Sequence, residues 1–332
     1  MTDRDWKQFL YLAVERHRIA PLVAGKLAHI DPPAEIRELI TSAGKTNAMQ
    51  VLQQMVSLQK IQASFAASGI RFGVLKGWPL AENLFENSSA RMARDIDIIV
   101  EPDLLTAAAR LLESLGYQAE PAHPEHHRMI DTAALTEEFN NLSFVHPDNA
   151  QLLELHWRCH QFKGWPELFG NWRNLVEVET SIGKLTTPTE QANLVYLSIH
   201  GSLHRWSRLK WLLDIAMLAR RRGEAQLQTD LTFASEMNAA APLELGLYLS
   251  ANLFGTPCPE TRFNSNSWLP KRCLEEISRP EAVPTGFTHR LKFYAMMLCM
   301  AEGLNQQLGI FRYRLWGKNR LFFADARRTV RA

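Results

Sequence analysis

Asp95 and Asp97 lie two positions apart in the otherwise largely apolar segment RMARDIDIIV, residues 91–100. Strand interiors usually exclude aspartate, because its short carboxylate competes for backbone hydrogen bonds. In an extended strand both carboxylates point to one face, about 7 Å apart along the strand, while Ile96 and Ile98 point to the other. Such a pair can hold divalent metal ions together with a triphosphate, or it can be the solvent face of an ordinary strand. The segment alone leaves both interpretations open.

A turn that can meet phosphate precedes this pair. The segment LKGW places Lys76 and Gly77 at the end of an expected strand, directly before an expected helix. Backbone N–H groups at such a position can approach a phosphate closely where glycine is present, and the lysine adds a positive charge. Arg94 or Arg91 can neutralise further phosphate charge.

A third acid, Glu154, lies in the expected strand LLELHW. If this strand neighbours the aspartate strand, Glu154 reaches the same place. His156 shares the face of Glu154 and can orient it or contact a substrate. Three carboxylates suit two metal ions in an in-line displacement, in which one ion activates the attacking hydroxyl and the other stabilises the leaving pyrophosphate. Each feature alone has an ordinary structural explanation, but their order along the chain favours the metal site.

The elements that must position these residues follow from hydrophobic periodicity and turn residues. Helices are expected at 4–29, 34–68, 79–85 and 101–116. Strands are expected at 69–77, 96–100, 142–146 and 152–158, the last two as a hairpin. After Pro188 the pattern is helical almost to the end, with a helix pair or one long helix first. The prediction is an α+β fold, in which a small mixed β-sheet core is flanked by N-terminal helices and a C-terminal helical domain. The predicted domains are residues 1–68, 69–187 and 188–332.

The segments VLKGWPLAENLF, RMARDIDIIVEPDLLTAAARLLESLGY and LLELHW, in this order, resemble the nucleotidyltransferase superfamily with the polymerase-β-like core. They are most similar to a bacterial branch described only as "nucleotidyltransferase family protein". The resemblance continues through HGSLHRWSRLKWLLDIAML and covers about residues 70–220. It implies an enzyme that transfers a nucleoside monophosphate from an NTP to a hydroxyl or phosphate acceptor and releases pyrophosphate.

The resemblance also implies roles for particular residues. The metal ligands and catalytic acids would be Asp95, Asp97 and Glu154, and the last could also be the base. Lys76 and Gly77 would face the triphosphate. The expected cofactor is Mg²⁺, as two ions for which Mn²⁺ can substitute, and the expected nucleotide is ATP, with the acceptor unidentified.

The glycine turn departs from the superfamily pattern. There the glycine is normally followed by glycine or serine, whereas Trp78 follows Gly77 here. This departure motivates an alternative, a catalytically inactive nucleotide- or partner-binding module on the same fold.

A polar stripe lies on the expected helix after the core. At 100° per residue, one narrow face carries His200, His204, Trp211 and Asp214, with Arg208 near it. These residues can line a nucleotide cleft, with the imidazoles and Arg208 on phosphate and Trp211 stacked on the base. They can equally be a hydrogen-bonded structural stripe. A zinc site is disfavoured, because no glutamate lies between the two histidines.

Composition limits the class of protein. The chain has 332 residues, of which 46% are hydrophobic and 22% charged, and a net charge of +2, so nothing global indicates nucleic acid or a membrane. The N-terminus lacks a signal peptide pattern, and no apolar run is long enough for a membrane span. The four cysteines contain no CxxC pair, which favours reduced thiols and a cytoplasmic protein.

Two further segments have open interpretations. His123, His126 and His127 form a cluster that we expect in a solvent loop, with an acceptor-binding loop as the alternative. The tail from Arg312 holds seven Lys or Arg residues and one Asp. It can bind RNA or an anionic membrane surface, although a solvated basic helix face is favoured.

Overall fold

The computed structural model describes residues 1–119, 139–162, 164–280 and 287–312. The histidine cluster at 123–127 and the basic tail from 313 on lie outside these residues. The chain begins with α1 (Asp3–Tyr11), whose capping box pairs the Thr2 hydroxyl with the Asp5 N–H and the Asp5 carboxylate with the Thr2 N–H.

Short helices replace the long helix that was expected over 4–29. A π-helical turn (Leu12–Arg16) follows α1, and then come α2 (Ala20–Ala24) and α3 (Leu27–Ile30). The prediction was wrong because Arg18 adopts a left-handed φ of 54°, which a continuous helix cannot contain. Pro21 then lies in the first turn of a new helix, where its missing N–H costs nothing.

The long helix α4 (Ala34–Ala67) starts after Pro33, close to its predicted bounds. Its second half packs on the β-sheet, where Leu58, Ile61 and Phe65 are fully buried. The division of the chain at residue 68 stays a prediction, since α4 shares one hydrophobic core with the sheet.

A mixed five-stranded sheet carries the site, as expected, in the order β1-β2-β5-β4-β3. The strands are β1 (Gly73–Val74), β2 (Asp95–Ile99), β3 (Gln118–Ala119), β4 (Asn141–His146) and β5 (Gln151–His156). The predicted hairpin is confirmed as antiparallel β4 and β5. The central pair, β2 and β5, is parallel, while the remaining pairs of this sheet are antiparallel.

Two helices and a second hairpin complete the middle of the chain. The helix α5 (Trp78–Phe85) follows Gly77, and α6 (Leu105–Ser114) follows a 3-10 turn (Pro102–Leu104). A two-stranded hairpin, β6 (Leu175–Thr180) and β7 (Gly183–Pro188), was not predicted.

Helices make up the described remainder. They are α7 (Glu190–Leu203), α8 (Leu209–Glu236), α9 (Ala240–Phe254), α10 (Trp268–Ser278), α11 (Phe287–Met300) and α12 (Leu304–Arg312). Of the two alternatives expected here, a helix pair and one long helix, the structure has the pair, because the chain turns at residues 204–208 between α7 and α8. These helices share a second hydrophobic core with Leu75, α5 and Ile99, so the α+β fold with a helical C-terminal region is confirmed. None of the helices that the structure describes has the length and apolar character needed to cross a membrane.

Candidate active site

Strands β2 and β5 bring three potential metal-binding side chains together. Their parallel register places Asp97 beside Glu154 and Ile99 beside His156, so the side chains of Asp97, Glu154 and His156 share one face. The Nε2 atom of His156 lies 3.3 Å from Asp97 Oδ1 and 3.2 Å from Glu154 Oε2. One ligand atom from each of the three residues lies within 4.8 Å of the others. The sequence predicted this convergence of acids and the shared face of His156.

Lys76 forms a buried ion pair with the central aspartate. Its Nζ donates to Asp97 Oδ1 at 2.6 Å and lies 4.0 Å from Asp95 Oδ2. The side chain of Asp97 is inaccessible to solvent and that of Lys76 is 8% exposed, whereas Asp95 is about one third exposed at 32%. Burial opposes the charge of Lys76, but the two aspartates raise its pKa overall, so the ammonium is charged.

The protonation of the other two groups follows from their contacts. Burial alone would lower the pKa of His156, but hydrogen bonds to Asp97 and Glu154 raise it. Burial likewise opposes the charge of Glu154, yet the His156 hydrogen bond and the Lys76 charge lower its pKa. Glu154 is therefore ionised at neutral pH and available as a proton acceptor.

The carboxylates fit a divalent cation. Asp97 Oδ2 is buried and has no hydrogen-bond partner, a costly state that a bound cation would relieve. Oxygen ligands from carboxylates are those that Mg²⁺ prefers. Asp97 and Glu154 would hold the ion, with Asp95 at the more exposed end of the same strand face. His156 and Lys76 already neutralise part of the carboxylate charge.

Gly77 begins α5 in a conformation that favours glycine, with φ of 94°. A Cβ at this position would find space, since its nearest neighbours lie at 3.8 Å and 3.9 Å, so conformation and not crowding accounts for the glycine. The ammonium of the preceding Lys76 faces the carboxylates. A role of Lys76 and Gly77 in binding the triphosphate stays a prediction.

The two arginines before β2 differ in their surroundings. Arg91 is buried, and its Nε donates to both carboxylate oxygens of Asp214 at 3.0 Å and 2.9 Å. Arg94 is exposed and pairs with Glu15 at 3.5 Å, so it is the one accessible to a ligand. The ammonium of Lys210 donates to the Met92 carbonyl at 2.9 Å. These contacts fix the segment before β2 against α8.

The aromatic residues of the predicted polar stripe lie together across the turn between α7 and α8, where their rings form a cluster. The rings of His200 and His204 lie 4.6 Å apart, and His204 stacks on Trp211 at 4.9 Å. The guanidinium of Arg208 lies 5.5 Å from the centre of the Trp211 ring. Desolvation and the positive charges of Lys76 and Arg208 lower the pKa of His204 to about 4, so this ring is neutral at pH 7. Asp214, by contrast, accepts hydrogen bonds from Arg91 and has a structural role.

Two residues near the site were not predicted from the sequence. Tyr196 is buried close enough to Lys76 and Asp97 for their charges to affect its pKa, which burial raises. Arg18 lies near Asp95, and burial together with Arg208 and Arg94 lowers its pKa to about 10. Neither lies in a motif, and Arg18 reaches the site only because the N-terminal helices fold back on it.

Comparisons with known proteins identify the family of the chain. The family model described as "Uncharacterised nucleotidyltransferase" matches residues 2–255. No curated protein matches the chain in sequence.

Solved structures give distant likenesses. The solution structure of the antibiotic-resistance factor ANT(2'')-Ia is 12% identical, with 56% of this chain and 93% of that chain covered and a TM-score of 0.40. In the crystal structure of ANT(2'')-Ia in complex with adenylyl-2''-tobramycin, the protein is 13% identical to this chain in sequence. The match covers 55% of this chain and 98% of that chain, with a TM-score of 0.39. An antigenic nucleotidyltransferase-like protein from Paracoccidioides brasiliensis is 14% identical in sequence. The match covers 59% of this chain and 92% of that chain, with a TM-score of 0.31. Since the family model spans most of the chain, this protein belongs to the family of uncharacterised nucleotidyltransferases.

Proposed function

We propose that the chain transfers a nucleoside monophosphate from an NTP, with ATP as the expected donor, to a hydroxyl or phosphate acceptor and releases pyrophosphate. The observation that carries this proposal is the convergence of Asp97 and Glu154 on one face of β2 and β5 with one buried carboxylate oxygen left without a partner. A structural ion-pair network would be expected to satisfy that oxygen.

A divalent cation, proposed as Mg²⁺ with Mn²⁺ able to substitute, fits Asp97 and Glu154, with Asp95 as the additional ligand. When bound, it supplies charge neutralisation for the phosphates and for the leaving pyrophosphate. The expectation of two ions stays a prediction, because Lys76 already occupies Asp97 Oδ1 as a fixed cation.

The residues of the chain would act around the α-phosphorus of the nucleotide. The acceptor oxygen forms a bond to this phosphorus while the bond from the phosphorus to the bridging oxygen of the β-phosphate breaks. The bond's electron pair leaves with pyrophosphate. The acceptor proton passes to the ionised carboxylate of Glu154, which His156 holds in place through Nε2. Arg94 and His200 are the proposed phosphate and nucleotide contacts, and the Gly77 N–H would face the triphosphate. His204 and Arg208, which the sequence grouped with them, line a cavity beside the α7–α8 turn.

The proposal is tested by pyrophosphate release and by transfer of label from α-³²P-ATP, in the presence of Mg²⁺ or Mn²⁺ and a panel of small-molecule acceptors. We expect Glu154→Gln and Asp95→Asn each to lower turnover by about 100-fold or more, because each removes a carboxylate from the reacting centre. Both side chains are partly exposed, so both variants should remain folded. Glu101→Gln, an exposed acid just after β2, is the matched control.

The same experiment separates the alternative, an inactive nucleotide- or partner-binding module. Full activity in the Asp95→Asn/Glu154→Gln double variant would exclude the proposed mechanism. Nucleotide binding without pyrophosphate release for any acceptor would instead favour the binding module.

A further inference from the structure

A cavity of about 530 Å³ lies where the N-terminal segment meets the α7–α8 turn and α11, and we call it the turn cavity. Its volume suits a small molecule. The residues of its wall that matter here are Arg16, Arg205, Arg208, His204, Trp211 and Phe293.

The wall of the turn cavity is strongly positive. Arg16 donates to the backbone carbonyls of Ser207 and Glu276 and forms no ion pair within the described residues, although the nearby Glu276 carboxylate offsets part of its charge. Across the described parts of the chain, no carboxylate lies within ion-pair distance of Arg16, Arg205 or Arg208. The acid of the wall, Glu15, already pairs with Arg94. His204 adds no charge at pH 7, since its pKa is about 4.

The backbone of the turn that carries Arg205 is strained. Arg205 and Trp206 both adopt left-handed φ angles, 56° and 51°. Such strain persists only where the surroundings enforce it, and it concentrates at functional sites. Here the fully buried ring of Trp206 fills the space over Gly201 and Gly246, where an added Cβ would come within 2.4 Å and 3.1 Å of the ring.

Flat apolar surfaces lie beside the charges. The Arg205 guanidinium lies 5.9 Å from the centre of the Phe293 ring, and the Arg208 guanidinium 5.5 Å from that of Trp211. A ligand that has both a ring and an anionic group would find a partner for each part.

The turn cavity lies near the proposed reaction centre, since its wall residue Glu15 pairs with Arg94. The carboxylate of Asp95 acts on the pKa of Arg208 and of Arg18, and Arg94 is its neighbour in the chain. A ligand in the cavity therefore lies within electrostatic reach of the catalytic face.

We propose that the turn cavity binds the acceptor of the transfer reaction, and that this acceptor is a small molecule with a phosphate group. This inference rests on the proposed function. Three arginines without acidic partners suit a dianion, whereas a polycationic acceptor would be repelled. The same phosphate chemistry could come from the nucleotide itself, and the experiment below separates the two sources.

Calorimetric titration of the full chain tests this inference without turnover. Phenyl phosphate is the probe, since it has a ring and a phosphate, and phenol is the uncharged control. Each titration is done with and without saturating Mg²⁺ and a non-hydrolysable ATP analogue. The variants are Arg208→Gln and Arg205→Gln/Arg208→Gln, and Arg110→Gln on the exposed side of α6 is the matched control.

We expect phenyl phosphate to bind with the nucleotide analogue present, and phenol to bind much more weakly. Both cavity variants should lower the affinity for phenyl phosphate by about tenfold or more and leave the affinity for the nucleotide analogue unchanged. The inference is overturned if the analogue displaces phenyl phosphate, since the cavity would then hold the nucleotide's phosphates. It is also overturned if the wild-type chain does not bind the probe, or if the Arg208→Gln variant binds it normally. Because calorimetry measures binding without catalysis, these outcomes can be distinguished from a failure of the transfer assay.

Discussion

At the scale of single residues, the ion pair between Lys76 and Asp97 sets the character of the site. The Asp97 side chain is inaccessible to solvent and that of Lys76 is only 8% exposed, so water cannot fully solvate either charge if the other is removed. A substitution at Asp97 therefore tests two things together, the chemistry and the stability of the fold. A substitution at Glu154, which is partly exposed, tests the chemistry without a large effect on stability.

We predict that Asp97→Asn lowers the free energy of unfolding by about 3–5 kcal/mol, because it removes the hydrogen-bonded counter-ion of the buried Lys76 and leaves only Asp95 at 4.0 Å. Glu154→Gln should change it by less than about 1 kcal/mol. Urea unfolding followed by circular dichroism measures both. In the double variant Lys76→Met/Asp97→Asn much of the loss should be recovered. A single Asp97→Asn variant as stable as the wild type would show that the pair contributes nothing.

At the scale of elements, the α7–α8 turn depends on a ring packed against glycines. The sequence pattern indicated that His200, His204 and Trp211 share a face by placing them on one helix, although it also allowed a helix pair in this region. The two left-handed residues that break it, Arg205 and Trp206, belong to residue types that carry no turn signal. The position of the cationic wall therefore depends on packing, which is a tertiary property.

We predict that Gly201→Ala lowers the free energy of unfolding by about 1–3 kcal/mol and weakens phenyl phosphate binding, because the added methyl group must displace the Trp206 ring. Thermal unfolding and calorimetry measure the two effects. Gly170→Ala is the matched control, since no atom lies within 4 Å of the Cβ that it adds. If Gly201→Ala unfolds at the wild-type temperature and binds the probe normally, Trp206 does not hold the turn.

The difference between local sequence pattern and tertiary packing explains what could be predicted from the sequence. Strand alternation fixes which residues within β2 and within β5 share a face, so the grouping of Asp97, Glu154 and His156 was predictable once the two strands were taken as neighbours. The partners of Lys76 and Arg91 were not, because each lies more than 20 positions away in the sequence. The β6–β7 hairpin was missed because its short alternating strands have little apolar content.

At the scale of the whole molecule, buried histidines couple folding to pH. Burial lowers the pKa of His160 to about 4, well below its ordinary value of 6.5, and its Nε2 bonds the Pro166 carbonyl at 3.1 Å. Between pH 6.5 and 4 the unfolded chain binds a proton at this ring and the folded chain does not. Stability is therefore present above pH 6.5 and is lost as the pH falls. Glu167, whose pKa burial raises to about 7, works in the opposite direction between pH 7 and 4.5.

We predict that His160→Gln removes about 1 kcal/mol per pH unit from the pH dependence of unfolding between pH 6 and 4.5, because glutamine can keep the hydrogen bond without titrating. Urea unfolding at several pH values measures this slope. His29→Gln, at an exposed position, is the control. An unchanged slope in the His160 variant would mean that this ring takes up protons equally in the folded and the unfolded chain.

The turn cavity also bears on the order of events during synthesis. Asp95, Asp97 and Glu154 are all present once the ribosome has made β5, but Arg16 must wait for the Glu276 carbonyl and Arg205 for the ring of Phe293. Because synthesis runs from the N-terminus, the proposed metal-binding carboxylates precede the finished wall of the cavity. An unfinished chain thus carries these carboxylates without the pocket that is proposed to select the acceptor.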